Sequence, residues 1–104
     1  MKIAIIGATG EVGRMMITCL EEAGCDAELD LFASERSEGQ VLYFNDEAVK
    51  VKKLTEASLK EYYDYVLMSA GGAISKYYAP LAVSSGNVVI DNSSAWRREE
   101  NIPL

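Results

Sequence analysis

The chain has 104 residues, of which 49% are apolar and 25% are charged, so it has the composition of one globular domain with a single core. Its net charge of -6 argues against a nucleic-acid partner, because affinity for a phosphate backbone needs a basic face. It contains no histidine, the commonest general base and metal ligand, and we predict neither a catalytic residue nor a metal site within it.

The first segment, residues 2 to 6 (KIAII), is a β-branched apolar run ended by glycine, which predicts a buried parallel strand. It is too short for the core of a signal peptide, and no apolar run approaches the ~20 residues of a membrane span. Two cysteines, Cys19 and Cys25, are too few for a disulfide framework. We therefore expect a soluble, cytoplasmic protein with no membrane partner.

A helix is predicted next, because apolar residues recur at helical spacing and Gly24 follows where a C-cap needs positive φ. We expect Cys19 and Cys25 to be structural. Strand, glycine turn and helix together open a βαβ unit. The predicted buried stripe of the helix comprises Val12, Met15, Met16, Cys19, Leu20 and Ala23.

The middle of the chain predicts a second strand and a hairpin. The strand covers residues 29 to 33, and a polar loop follows it. Residues 41 to 54 contain valines that alternate with lysines and a turn at Asn45-Asp46, which is typical of a hairpin. Thr55 then caps a short helix that reaches about residue 62.

The last third of the chain predicts strands at residues 65 to 70 and 88 to 90 on either side of a helix. Pro80 should kink that helix or mark where it restarts. The predicted fold is α/β, a Rossmann-like doubly wound and mainly parallel sheet with an inserted β-hairpin. The final residues complete no element, so the chain looks cut short. The apolar face of the helix carries Ile74, Tyr77, Tyr78, Leu81 and Ala82.

The stretch GATGEVG matches G-x-x-G-x-x-G at Gly7, Gly10 and Gly13, after a predicted strand and before a predicted helix. Gly7 allows a tight turn, Gly10 lets the backbone approach a pyrophosphate, and Gly13 lets the helix pack on the strand. Phosphates would meet the free N–H groups of residues 10 to 12, beside the Thr9 hydroxyl. Glu11, which follows Gly10, would repel a phosphate unless its side chain turns to solvent. The alternative is a tight turn that binds no ligand.

The loop after the second strand predicts which dinucleotide binds. NAD sites place an acid about 20 residues past the glycine motif for the ribose 2'-hydroxyl, whereas NADP sites place an arginine near the 2'-phosphate. Asp30 has that spacing but lies inside the strand, away from its carboxyl end. Arg36 follows that end between Ser34 and Ser37, and a guanidinium–phosphate contact is worth about 1.5–3 kcal/mol. We therefore predict NADP; the alternative is a solvated loop in which Arg36 balances nearby acids.

Two further segments are predicted to open toward the same crevice. Gly71 and Gly72 follow a buried strand and let the chain pass close to a cofactor, with Ser69 and Ser75 as hydrogen-bond donors. The stretch DNSSAWRRE, which begins at residue 91, follows the last strand and brings Arg97 and polar side chains toward an anionic substrate. For the two glycines, the alternative is a helix start that needs small residues. For Arg97, the alternative is ordinary surface charge.

Four stretches in order, KIAIIGATGEVG, LFASERSEG, SAGGAISKYYAP and VVIDNSSAWR, resemble the bacterial aspartate-semialdehyde dehydrogenases over essentially the whole chain. The resemblance implies an NADP-dependent oxidoreductase that reduces aspartyl 4-phosphate to aspartate semialdehyde and releases phosphate, in lysine, threonine and methionine biosynthesis. It implies that Arg97 binds the substrate phosphate or inorganic phosphate. It also implies three groups of cofactor contacts: Thr9, Gly10, Glu11 and Val12 at the pyrophosphate, Arg36 and Ser37 at the 2'-phosphate, and Ala70, Gly71 and Gly72 on the other side.

The resemblance also implies what these residues lack. The family uses a cysteine nucleophile and a histidine acid/base, and neither Cys19 nor Cys25 matches that cysteine in position. We therefore expect residues 1–104 to be an NAD(P)-binding Rossmann-like domain, incomplete relative to the family, without the catalytic and dimerisation domain and inactive alone. The full-length enzyme would be a homodimer or tetramer. Two alternatives are a stand-alone dinucleotide-binding sensor module and an enzyme similar to the N-acetyl-glutamyl-phosphate reductases.

Overall fold

The structure is a computed structural model, which describes residues 1–69 and 72–91. The predicted site residues Ala70, Gly71 and Arg97 lie outside these ranges. Within them, the helical elements are α1 Glu11–Glu22, α2 Gly72–Ser84 and two short 3-10 helices, Glu35–Ser37 and Glu56–Lys60. The strands of the same ranges are β1 Lys2–Ile6, β2 Glu28–Ala33, β3 Val41–Phe44, β4 Glu47–Lys50, β5 Lys52–Lys53, β6 Tyr65–Met68 and β7 Val88–Asp91.

One parallel sheet contains strands in the order β5-β2-β1-β6-β7, and β3 and β4 form an antiparallel hairpin outside it. Ile6 pairs with Phe32 of β2 and with Met68 of β6, so the carboxyl ends of the three central strands meet at one edge. The strand order reverses between β1 and β6, which is the switch point where doubly wound sheets bind ligands. The predicted Rossmann-like fold with an inserted hairpin is confirmed.

The alternation of side chains along β1 explains why the sheet has a hydrophobic core on each face. Ile3 and Ile5 point to one face, where they pack with Ile17 of α1 and Phe44 of the hairpin. The sheet therefore lies between α1 with the hairpin on one side and the second 3-10 helix with α2 on the other. The second core contains Ala4, Ile6, Phe32, Leu59, Tyr63, Val66, Met68 and Ala82.

The buried face of α1 differs from the predicted stripe. Gly13 and Ile17 are buried, whereas Met15 is 60% exposed and Cys19 is exposed. Gly13 explains the difference, because a Cβ atom there would lie 2.8 Å from Cα and 2.9 Å from the carbonyl oxygen of Ala8. This glycine must face the turn, and its contact rotates α1 so that the side with Gly13 and Ile17 meets the sheet.

The hairpin is shorter than the predicted range of 41 to 54. Asn45 and Asp46 have positive φ angles of 52° and 66° and form the predicted two-residue turn. The hairpin ends before Val51, which is 1% exposed, because the chain crosses there into the parallel sheet. The two lysines that follow form β5, which pairs with the end of β2 rather than with the hairpin.

The segment after β5 begins with the predicted cap but is not an α-helix. Thr55 Oγ1 accepts a hydrogen bond from the backbone N–H of Ser58, and Ser58 Oγ accepts one from the N–H of Thr55, which completes a capping box. The turn continues as a 3-10 helix only as far as Lys60, and it buries Leu59 fully.

Helix α2 continues through Pro80, so the helix does not restart there, which was one of the two outcomes that we predicted. Of its predicted buried face, Ala82 lies in the core, but Ile74 and Tyr77 are 41% and 55% exposed. Ile74 borders a cleft at the sheet edge, whereas Tyr78 borders the same cleft and also packs against the second core. No helix in the described ranges has the length and apolarity needed to cross a membrane.

Candidate functional site

A cleft of about 450 Å³ opens at the carboxyl ends of β1, β2, β5 and β6. It lies at the switch point of the sheet, where ligands of doubly wound folds bind. Of the predicted site residues, Gly7, Thr9 and Gly10 contribute to its wall. The described lining consists of Ile6, Gly7, Thr9, Gly10, Ala33, Ser34, Glu35, Lys53, Leu54, Ser69, Ile74 and Tyr78.

Hydrogen bonds fix the glycine turn over the end of β2. The N–H groups of Gly7 and Ala8 both donate to the carbonyl oxygen of Phe32, at 2.8 and 3.1 Å. Gly7 has a φ of +82°, a conformation that glycine adopts without steric cost. The Ser69 hydroxyl lies 2.9 Å from the carbonyl oxygen of Ile6 and 3.1 Å from that of Gly7. Ser69 therefore donates to the turn itself, where we expected a donor to the cofactor.

The N-terminus of α1 reaches the cleft at Gly10. The N–H of Gly10 donates to the carbonyl oxygen of Gly7 at 3.1 Å, so the set of free N–H groups predicted at residues 10 to 12 shifts by one residue. Residues 11 to 13 form the first turn of α1, and their N–H groups have no acceptor within the helix. Together with the positive end of the helix dipole, they favour an anion at this position.

Glu11 and Val12 do not line the cleft with their side chains. Glu11 is exposed and borders a separate groove along α1, while Val12 is half-buried. Arg14 shares that groove, and its Nε donates to the carbonyl oxygen of Thr9 at 3.1 Å. The repulsion that we expected between Glu11 and a phosphate is reduced by this orientation.

A hydrogen bond joins the glycine turn to the loop after β2. Thr9 Oγ1 donates to Ser37 Oγ at 3.0 Å, and both hydroxyl groups are partly buried. Ser37 ends the short 3-10 helix that begins at Glu35, after Ser34 in extended conformation. The structure thus brings together two predicted cofactor contacts that are 28 positions apart in the sequence.

Arg36 is exposed and lies on the same 3-10 helix, but outside the lining of the cleft. Among the described residues it has no carboxylate within 4.0 Å, so it forms no ion pair there. Its exposed position fits the alternative of a solvated loop as well as the predicted contact with a 2'-phosphate. Lys53 does line the cleft, and sequence reasoning missed it. No local signal marked it, because the alternating valines and lysines of residues 49 to 53 fit a hairpin, and only the pairing of β5 with β2 brings Lys53 to the cleft.

Asp30 lies in the interior of β2, opposite Ala4 of β1, as the sequence predicted. Its carboxylate accepts a hydrogen bond of 2.7 Å from the Tyr63 hydroxyl and lies 3.5 Å from Lys52 Nζ. Burial of Tyr63, aided by the negative charge of Asp30, raises the pKa of the phenol well above its usual range. Asp30 is thus committed to a structural network and does not reach the cleft.

Comparison with known proteins identifies the domain to which this cleft belongs. A sequence model described as the semialdehyde dehydrogenase NAD-binding domain matches residues 2–104. The chain belongs to this family. The aspartate-semialdehyde dehydrogenase of Aquifex aeolicus is 50% identical over 104 residues, which cover 99% of this chain and 31% of the relative.

Solved structures agree with this assignment. Aspartate semialdehyde dehydrogenase II of Vibrio cholerae, complexed with ASA, has a TM-score of 0.85 and 44% identity over 99% of this chain and 34% of that one. The aspartate semialdehyde dehydrogenase of Candida albicans, solved with NADP, has a TM-score of 0.73 and 25% identity over 99% of this chain and 32% of that one. The chain thus spans about a third of the length of these three relatives.

The cleft of this semialdehyde dehydrogenase domain contains no cysteine in its described lining. Cys19 borders the groove along α1, and Cys25 is half-buried against the first core. Within residues 1–69 and 72–91, no group of three or more metal-binding side chains is placed to hold a metal ion. The arrangement supplies backbone donors, hydroxyl groups and a lysine, which are groups that bind a phosphorylated nucleotide.

Proposed function

We propose that this chain is the NADP-binding portion of an aspartate-semialdehyde dehydrogenase. The full-length enzyme would reduce aspartyl 4-phosphate to aspartate semialdehyde with NADPH, in the biosynthesis of lysine, threonine and methionine. The observation that carries the proposal is the Thr9–Ser37 hydrogen bond, because it joins the phosphate-binding turn to the loop at the ribose end of one cleft. The family assignment and the enzyme names of the relatives support the same conclusion.

The choice of NADP over NAD rests on the loop after β2. Asp30, which has the spacing of an NAD-type acid, is held by Tyr63 away from the cleft. Arg36 and Ser37 follow the carboxyl end of β2, where a 2'-phosphate would lie. Glu35 lines the cleft and favours a ribose hydroxyl, so selectivity for NADP requires nearby cations that outweigh its charge.

The remaining assignments follow from the same family membership. Gly7, Gly10 and Gly13 would shape the pyrophosphate site, and Gly71 and Gly72 would approach the cofactor from the other side. Arg97 would bind the phosphate of the substrate. We further propose that the full-length enzyme is a cytoplasmic homodimer or tetramer.

Residues 1–104 are proposed to be inactive by themselves. The chain has no histidine, and Cys19 and Cys25 lie outside the described lining of the cleft. The thioester that accepts the hydride forms when a thiolate displaces phosphate from the acyl phosphate, and the full-length protein would supply that thiolate from another segment. Phosphate-dependent reduction of NADP by the purified 104-residue chain would contradict this proposal.

Calorimetric titration of the chain with NADPH and NADH tests the cofactor assignment. We expect NADPH to bind about tenfold more tightly or better, as one charge-assisted contact to the 2'-phosphate allows. Equal affinity for the two cofactors would overturn the NADP assignment and leave a general dinucleotide site. Absence of binding by either cofactor would contradict the nucleotide site itself.

A further inference from the structure

Among the described residues that line the cleft, Lys53 is the one with a cationic side chain. Lys53 pairs with Ala33 in the parallel register of β5 and β2, and the N–H of Leu54 donates to the carbonyl oxygen of Ala33 at 2.9 Å. The residues that follow Ala33, Ser34 and Glu35, line the same cleft. Lys53 therefore lies beside the start of the loop that we assign to the ribose end of the cofactor.

The neighbouring lysine is oriented differently. Paired residues of adjacent strands point to the same face of a sheet, so Lys52 shares the face of Phe32 and Lys53 shares the face of Ala33. Lys52 Nζ lies 3.5 Å from a carboxylate oxygen of Asp30 and 5.9 Å from the centre of the Phe32 ring. Lys53 has no carboxylate within 4.0 Å among the described residues, so its charge is available to a ligand.

The charges around the cleft require such a cation if a phosphate is to bind there. Glu35 lines the cleft, and its carboxylate repels a phosphate at close range. Arg36 is exposed and outside the lining, so its guanidinium would reach a bound phosphate only from the rim. Lys53 contributes positive charge from the neighbouring strand, whose position is fixed by hydrogen bonds to β2.

We propose that Lys53 determines cofactor specificity, because its ammonium group binds the 2'-phosphate of NADP inside the cleft while Arg36 contacts it from the rim. This inference rests on the proposed NADP-binding function and adds a second cation to it. Lysine binds phosphate as a point charge with three donors, and a charge-assisted contact of this kind supports a preference of roughly tenfold or more.

Adenosine 2',5'-bisphosphate and 5'-AMP are suitable probes, because they differ only in the 2'-phosphate. We expect the unmodified chain to bind the bisphosphate at least about tenfold more tightly than 5'-AMP in calorimetric titration. Lys53→Gln should lose roughly tenfold in affinity for the bisphosphate and retain its affinity for 5'-AMP. Lys53→Arg, which keeps the charge, should retain most of the preference.

Lys52→Gln is the matched control, because it removes the same charge from the adjacent residue on the other face of the sheet. We expect it to leave the preference unchanged, and circular dichroism will verify that both variants are folded. If Lys53→Gln keeps the full preference, or if both variants lose it equally, the role of Lys53 is overturned and NADP binding stands. If the unmodified chain shows no preference, the NADP proposal itself fails.

Discussion

The space that a Cβ atom on Gly13 would occupy is already filled by the carbonyl oxygen of Gly7. A Cβ atom on Gly10, by contrast, would make an ordinary contact of 3.4 Å with the same oxygen. Two glycines of one motif therefore have different requirements. The packing of the protein itself requires Gly13, whereas at Gly10 we expect a requirement only from the proposed ligand.

Gly13→Ala is expected to destabilise the fold by about 1–3 kcal/mol, because the methyl group overpacks the contact between α1 and the turn. Gly10→Ala should change the free energy of unfolding by less than about 1 kcal/mol but weaken the binding of NADPH severalfold, since its methyl group meets the pyrophosphate. Urea unfolding and calorimetric titration measure the two effects. Equal stability of Gly13→Ala and the unmodified chain would contradict the packing argument.

Arg36→Ala should reduce the affinity for NADPH about tenfold and leave the affinity for NADH unchanged, because only the 2'-phosphate loses a charged partner. Parallel titrations with the two cofactors measure the difference. Lys60→Ala, which removes an exposed charge from the second 3-10 helix, is the control and should change neither affinity. Equal loss of both affinities in Arg36→Ala would indicate a structural arginine instead.

Tyr63→Phe should lower the free energy of unfolding by about 1–3 kcal/mol at neutral pH, because it leaves the Asp30 carboxylate without a donor at 2.7 Å. The folded state raises the pKa of Tyr63, so its contribution is complete below the usual phenol value of 10.0 and declines as the pH rises above it. The unmodified chain should therefore lose stability more steeply than Tyr63→Phe above about pH 10. Denaturation curves from pH 7 to 11 measure both slopes, and parallel slopes would argue against the network.

Cys19 should react with a maleimide faster than Cys25, because Cys19 is exposed and Cys25 is partly buried against the core. Mass spectrometry of proteolytic fragments gives the rate at each site. Added NADPH should not protect Cys19, since the groove that it borders is separate from the cleft. Protection of Cys19 by the cofactor would place the nucleotide on the wrong side of α1.

The order of strands, turns and helices along the chain could be predicted because the sequence signals for strands and turns are local. The β-branched run of β1, the positive-φ glycines at positions 7 and 24, and the Asn45-Asp46 turn each depend on a few adjacent residues. The interior position of Asp30 could be predicted for the same reason. Its partner Tyr63, 33 positions away, could not, because that contact depends on how the second core is assembled.

The predictions that failed concern side-chain orientation and strand assignment. The helical spacing of α1 was correct, but its rotation is set by the contact between Gly13 and the turn, which hydrophobic periodicity does not include. Lys53 was assigned to a hairpin because Val49 and Val51 alternate with lysines. Burial of Val51 at the crossing into the parallel sheet moves Lys53 to the cleft, and only the strand pairing shows this.

Strand β5 has only two residues in register with β2 and lies at the edge of the sheet, so it is a candidate for local opening on its own. A phosphate held between the loop after Ala33 and Lys53 would connect that edge strand to its neighbour. Bound nucleotide would then suppress local unfolding, and the amide hydrogens of Val51 and Leu54, which bond to Gln40 and Ala33, would exchange more slowly. Hydrogen exchange at the sheet edge would thus report whether a nucleotide occupies the cleft.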